Sequence, residues 1–117
     1  MSKKVLVVDD DAMIRKIINA GLSSEGYQLF ELTEGSKVLN VIRTEAIDLV
    51  VLDIVMEGQE GMQTAFELLE YYPDLPVIII SSDSNYLESA KCIVDATLSK
   101  PISISSLRSL VAQLLAE

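Results

Sequence analysis

Residues 48–53 read Asp48-Leu-Val-Val-Leu-Asp53, an unbroken apolar run from Leu49 to Leu52 with a carboxylate at each end. A strand with one wet face alternates apolar and polar side chains. A continuous run rich in Val and Leu instead suits a strand covered on both faces. Two further runs have the same character, Val5 to Val8 and Val77 to Ile80. Gln28 to Leu32 alternates more and predicts a flanking strand, while the weaker run Ala96 to Leu98 predicts a fifth strand at an edge.

Helical periodicity fills the intervals. Met13, Ile14, Ile17, Ile18 and Leu22 form one stripe at i, i+3 and i+4 spacing. Val38, Leu39 and Ile42 form a second, and Met62, Ala65, Phe66 and Leu69 a third. Asn85 to Cys92 suits a short fourth helix. Leu107, Leu110, Val111, Leu114 and Leu115 mark a last one, capped near Ser103 or Ser105. Gly26-Tyr27 and Pro73-Asp74 punctuate helix exits. Strand and helix thus alternate five times, which predicts an α/β fold: a doubly wound, five-stranded parallel sheet with helices on both faces.

In that architecture, functional groups collect beyond the carboxyl ends of the strands. The first run ends in Asp9-Asp10, the third in Asp53, the fourth in Ser81-Ser82, and Lys100-Pro101 follows the fifth. A single aspartate after a strand is commonly a turn former or helix cap, and a single lysine is commonly solvated. Matching polar groups at every one of these strand ends are not explained that way. Three converging carboxylates resist ionising together unless a cation joins them. A hard divalent ion such as Mg²⁺ suits a site with few carboxylates plus waters. The lysine adds a point charge suited to a phosphoryl group, and a serine hydroxyl adds a hydrogen-bond donor.

Composition narrows the function. A formal charge of −9 with scattered basic residues argues against direct nucleic-acid binding. The absence of histidine excludes imidazole catalysis and a histidine-based metal site. The lone Cys92 has no partner for an internal disulfide and reads as a packed thiol. No charged-then-apolar leader and no apolar stretch of membrane-spanning length is present, so the expected setting is cytoplasmic, with no membrane partner. At 117 residues, the whole of 1–117 is expected to be one domain.

From Lys4 to about Leu115 the chain resembles the receiver domain of two-component response regulators. Lys4-Val-Leu-Val-Val-Asp-Asp-Asp11 is similar to the family's first strand and acidic pair, and Asp48 to Met56 to its phospho-acceptor strand. Asp74 to Ser82 resembles the fourth strand with its hydroxyl residue, and Leu98-Ser-Lys100-Pro101-Ile102 the lysine motif, whose Lys–Pro bond is typically cis. Gly35 and Gly61 fit secondary positions. The resemblance implies that Asp53 accepts a phosphoryl group from a sensor histidine kinase, a phosphotransfer protein or a small phosphodonor. It implies Mg²⁺ held by Asp10, Asp53 and the main-chain carbonyl of Val55, with Asp9 helping through water. Lys100 and Ser81 would bind the phosphoryl oxygens as the catalytic pair, and the signal would pass to a downstream protein target in a phosphorelay. Apart from its own phosphorylation and dephosphorylation, no enzyme activity is implied.

Departures from the family pattern are specific. Glu57 replaces the usual proline four residues beyond the acceptor, Ser82 replaces a small residue, and Ile93-Val94 stands for a Gly-Ala pair. The segment from Ser81 to Lys100 is short by nearly one helical turn. The aromatic switch residue expected three positions before the lysine is Thr97, leaving Ser81 and Thr97 as the switch pair, with Tyr86 the nearest aromatic in sequence. The short fourth helix and Thr97 also suit a receiver-like module that works without phosphorylation. Asp9-x-Asp11 after a strand imitates a haloacid-dehalogenase-like phosphatase, but Ala12-Met13 follows where that class wants Gly-Thr.

Overall fold

The computed structural model describes residues 2–54, 60–91 and 94–116, apart from the side chains of residues 60, 84, 86 and 89. Strands β1 (Lys4–Val8), β2 (Gln28–Leu32), β3 (Leu49–Asp53), β4 (Val77–Ser81) and β5 (Ala96–Ser99) alternate with five helices. These are α1 (Ala12–Ser23), α2 (Val38–Glu45), α3 (Glu60–Tyr71), α4 (Ser84–Ala90) and α5 (Ile104–Leu115), with a 3-10 turn at Gly35–Lys37 leading into α2. All strand pairs are parallel, in the order β2-β1-β3-β4-β5. The doubly wound sheet expected from the alternation is the one observed, with β2 and β5 at its edges.

Successive side chains on a strand point to opposite faces, so each continuous apolar run feeds two cores. Leu6, Val8, Val50, Leu52, Val77 and Ile79 pack with Val38, Ile42, Ala65, Leu68, Leu87 and Ala90 from α2, α3 and α4. Val5, Val7, Leu49, Val51, Ile78 and Ile80 pack with Ile18, Leu22, Leu107 and Val111 from α1 and α5. Each apolar run therefore reads as continuous because both faces are covered. The helix starts follow from local hydrogen bonding: Asp11 caps α1, Asp83 caps α4, and Ser103 rather than Ser105 caps α5.

Two helical stripes are broader in the sequence than in the core. On α1, Met13 is 63% exposed and Ile17 41%, while Ile18, Gly21 and Leu22 make the buried line. A Cβ at Gly21 would stand 2.8 Å from Ile104 Cγ2, so the missing side chain lets α5 approach closely. On α3, Phe66 is 53% exposed and Leu69 44%, and the buried line runs through Gly61, Ala65 and Leu68. Five apolar residues spread over a wide arc of a helix, whereas a flat sheet contacts only a narrow strip of it. The fourth helix spans Ser84–Ala90 rather than reaching Cys92, which, like Glu57, lies outside the described residues. Among the described residues no helix is long and apolar enough to cross a membrane.

Candidate functional site: an acidic pocket at the carboxyl edge

Parallel register brings the strand ends level. Val8 pairs with Leu52, Asp53 with Ile80, and Ser81 with Ser99. Asp9 therefore leaves β1 beside Asp53, and Lys100 leaves β5 beside Ser81. The main chain ties this edge together: Ile54 N donates to Ile80 O at 3.1 Å, and Lys100 N donates to Ser81 O at 2.9 Å. The Lys100–Pro101 peptide is cis, as expected.

Asp9 is fully buried, and Asp53 is 2% exposed. Asp10 is exposed, yet one carboxylate oxygen from each of the three lies within 4.8 Å of the others. Lys100 Nζ bridges the two buried carboxylates, 3.1 Å from Asp9 Oδ2 and 3.2 Å from Asp53 Oδ2. Its contact with Asp53 is a hydrogen bond, whereas that with Asp9 Oδ2 is an ion pair lacking hydrogen-bond alignment. Burial pulls the ammonium's pKa down. The contact with Asp9 and the charges of Asp53 and Asp9 outweigh that and hold it above its ordinary 10.5.

Asp9 Oδ1 accepts from Asp11 N at 2.9 Å, but Oδ2 has no hydrogen bond among the described residues. A buried carboxylate oxygen so placed, within a set of oxygen donors only, fits a hard divalent cation. Ser81 is fully buried, and its hydroxyl accepts from Asp83 N at 2.9 Å, which leaves its own O–H uncommitted by that bond. Thr97 is half-buried on β5 and pairs with Ile79. Val55 lies outside the described residues, as does the side chain of Tyr86.

A residue that no motif singles out also reaches the main chain of Asp9, and it is paired with a second. Arg15 Nη1 donates to Asp9 O at 2.7 Å, and its Nε donates to Glu31 Oε1 at 3.2 Å. Their sequence separation hides the pair, because Glu31 faces α1 only once β2 has paired with β1.

The family model for the response regulator receiver domain matches residues 5–112. The chain belongs to this family. Receiver domains accept a phosphoryl group in two-component signalling and bind Mg²⁺ at an acidic pocket, and Asp9, Asp10 and Asp53 form an acidic cluster that could hold a metal ion. Membership of this family supports a phosphorylation-accepting role and does not favour the phosphorylation-independent reading. The phosphatase reading also fails on geometry. Asp11 is exposed, and its Oδ1 caps α1 by accepting from Met13 N at 2.9 Å.

Among curated proteins, the receiver is 33% identical over 101 residues to the transcriptional regulatory protein GlrR of Escherichia coli. That match covers 84% of this chain and 23% of GlrR, so the chain spans about a quarter of the relative's length. The response regulator TrrA of Thermotoga maritima, crystallised in complex with Mg²⁺-BeF, superposes with a TM-score of 0.89 at 31% identity over 97% of this chain and 99% of that one. The receiver domain of NtrX from Brucella abortus gives 0.88 at 30% identity, covering 95% and 97%.

Proposed function

We propose that Asp53 is the phospho-acceptor, and that residues 1–117 act as one receiver domain in the cytoplasm. The observation that carries this is the bridging of buried Asp9 and Asp53 by Lys100, beside exposed Asp10. One oxygen of Asp53 attacks the phosphorus of a phosphohistidine on a sensor kinase or phosphotransfer protein, or of a small phosphodonor. The bond from phosphorus to the donor breaks as the acyl phosphate on Asp53 forms. Lys100 and the Ser81 hydroxyl then bind the phosphoryl oxygens, offsetting charge that would otherwise repel Asp9 and Asp10.

Asp9, Asp10 and Asp53 would hold Mg²⁺, with the main-chain carbonyl of residue 55 as a further ligand. When bound, the ion neutralises charge on the transferring group. The Mg²⁺-BeF complex of TrrA supports this reading, since that neighbour is similar over nearly the whole chain. Apart from forming and losing its own acyl phosphate, the domain has no substrate of its own. Its output is a contact with a downstream protein rather than with nucleic acid, consistent with its acidic charge of −9. Ser81 and Thr97 are the residues whose surroundings change on phosphorylation.

Intact-mass spectrometry after incubation with acetyl phosphate and Mg²⁺ tests the acceptor. The wild type should gain one phosphoryl group and Asp53→Asn none. Equal labelling of both would assign the chemistry to another residue.

A further inference from the structure

The guanidinium of Arg15 folds back from the second turn of α1 onto the start of the acidic loop. Its Nη1 donates to the main-chain oxygen of Asp9 at 2.7 Å, a short charge-assisted hydrogen bond. Its Nε pairs with Glu31 Oε1 at 3.2 Å, while Asn19 Nδ2 donates to Glu31 Oε2 at 2.8 Å. Both carboxylate oxygens of Glu31 are thus engaged, and the Arg15 side chain keeps only 17% of its exposure. Asp9 N donates to Leu32 O at 3.1 Å. The amide of Asp9 is therefore tied to β2 and its carbonyl to α1. That carbonyl belongs to the peptide unit from which Asp10 departs, so holding its plane fixes where the Asp10 Cα starts.

We infer that Arg15 is a positioning residue for the metal-binding carboxylates, and that Glu31 neutralises it so that it holds the loop without repelling a cation. The inference rests on the reading that Asp9, Asp10 and Asp53 hold Mg²⁺. Its physical content is a sign. A bare guanidinium beside three carboxylates competes with a metal ion, so deleting one that acted by charge alone would tighten Mg²⁺ binding. Deleting one that holds the ligand loop in shape weakens it, as loss of outer support does at metal sites generally.

Calorimetric Mg²⁺ titrations, paired with amide NMR shifts of residues 9–11, separate the two. Arg15→Gln should raise the Mg²⁺ dissociation constant on the order of tenfold. Arg15→Lys keeps the charge but not the two-pronged fork, and should follow Arg15→Gln rather than wild type. Glu31→Gln exposes the arginine's charge, so it should weaken binding by a factor that shrinks as salt is raised. Far-UV circular dichroism and melting in EDTA report folding of each variant. If Arg15→Gln does not fold, Glu31→Gln carries the test: salt-dependent weakening supports the inference, and wild-type affinity overturns it. Mg²⁺ binding by Arg15→Gln as tight as wild type or tighter also overturns it. Unchanged binding by Asp53→Asn would instead overturn the site on which the inference rests.

Discussion

Replacing Lys100 with methionine removes a cation that contacts both Asp9 and Asp53 and keeps much of the aliphatic stem. For an exposed ion pair the loss would be about 0–1 kcal/mol. That limit does not apply, because Asp9 is fully buried and Asp53 is 2% exposed. An upper limit comes from protonation: an uncompensated carboxylate can take up a proton, which at pH 7 costs roughly three pKa units, or about 4 kcal/mol. Between these limits, losing one partner of a nearly buried pair should cost about 2–3 kcal/mol. For a domain of this size that lowers the melting temperature on the order of 10 °C. The pKa of Lys100 is raised above 10.5, so the stability it contributes is complete below that value and is lost only as pH rises through the raised one. Saturating Mg²⁺ should stabilise Lys100→Met more than wild type, because the ion replaces the missing positive charge. Urea unfolding followed by far-UV circular dichroism, at pH 7.5 and 5.5 with EDTA or Mg²⁺, measures all of this. A loss under about 0.5 kcal/mol in EDTA, with the same Mg²⁺ response as wild type, would refute the reasoning.

Asp10→Asn removes one of three mutually repelling charges, so in EDTA it should stabilise the domain by on the order of 1 kcal/mol. It should also blunt the melting shift on adding Mg²⁺, and a shift as large as that of wild type would contradict the site. Gly61→Ala should destabilise by about 1–3 kcal/mol. Its Cβ would overlap the backbone of Ile54, the residue next to Asp53, and that backbone cannot turn aside as a flexible side chain could. Mg²⁺ affinity should fall with it, and urea unfolding indistinguishable from wild type would show that α3 moves away freely.

The doubly wound parallel sheet was legible because its three central strands carry uninterrupted apolar runs, a pattern that only a sheet covered on both faces rewards; the order of the strands was not read from the sequence. The strand ends were legible for a related reason. Asp9, Asp53 and Ser81 are polar residues at the ends of buried apolar runs, and Lys100 follows the half-buried edge strand β5. Met13, Ile17, Phe66 and Leu69 read as core and are exposed, because periodicity gives the direction of a helix face but not its width. Arg15 and Glu31 escaped notice for the opposite reason. Each is an ordinary charged residue on a surface element, and its partner is fixed only when β2 lies against β1 and α1 lies across them. Local pattern reveals what is buried; it does not reveal which surface charges meet.

The same distinction bears on where a change at Asp53 can travel. Thr97 is small and half-buried, so it offers no ring to move into space vacated by Ser81. The Ser81 hydroxyl, however, accepts from Asp83 N, and Asp83 in turn caps α4 by accepting from Asn85 N at 2.9 Å. The carbonyl of Asp83 also receives Leu87 N at 3.3 Å. Drawing that hydroxyl toward a phosphoryl group therefore loads a bond at the very start of α4. A helix of seven residues has few internal hydrogen bonds to spare, and much of its order depends on its ends. A bound group shifts an equilibrium only by the contacts that differ between two states. If Asp53 is phosphorylated as proposed, the contact expected to differ beside Ser81 is therefore the cap of α4; amide hydrogen exchange of α4 with and without BeF₃⁻ checks this, and exchange that does not change would refute it.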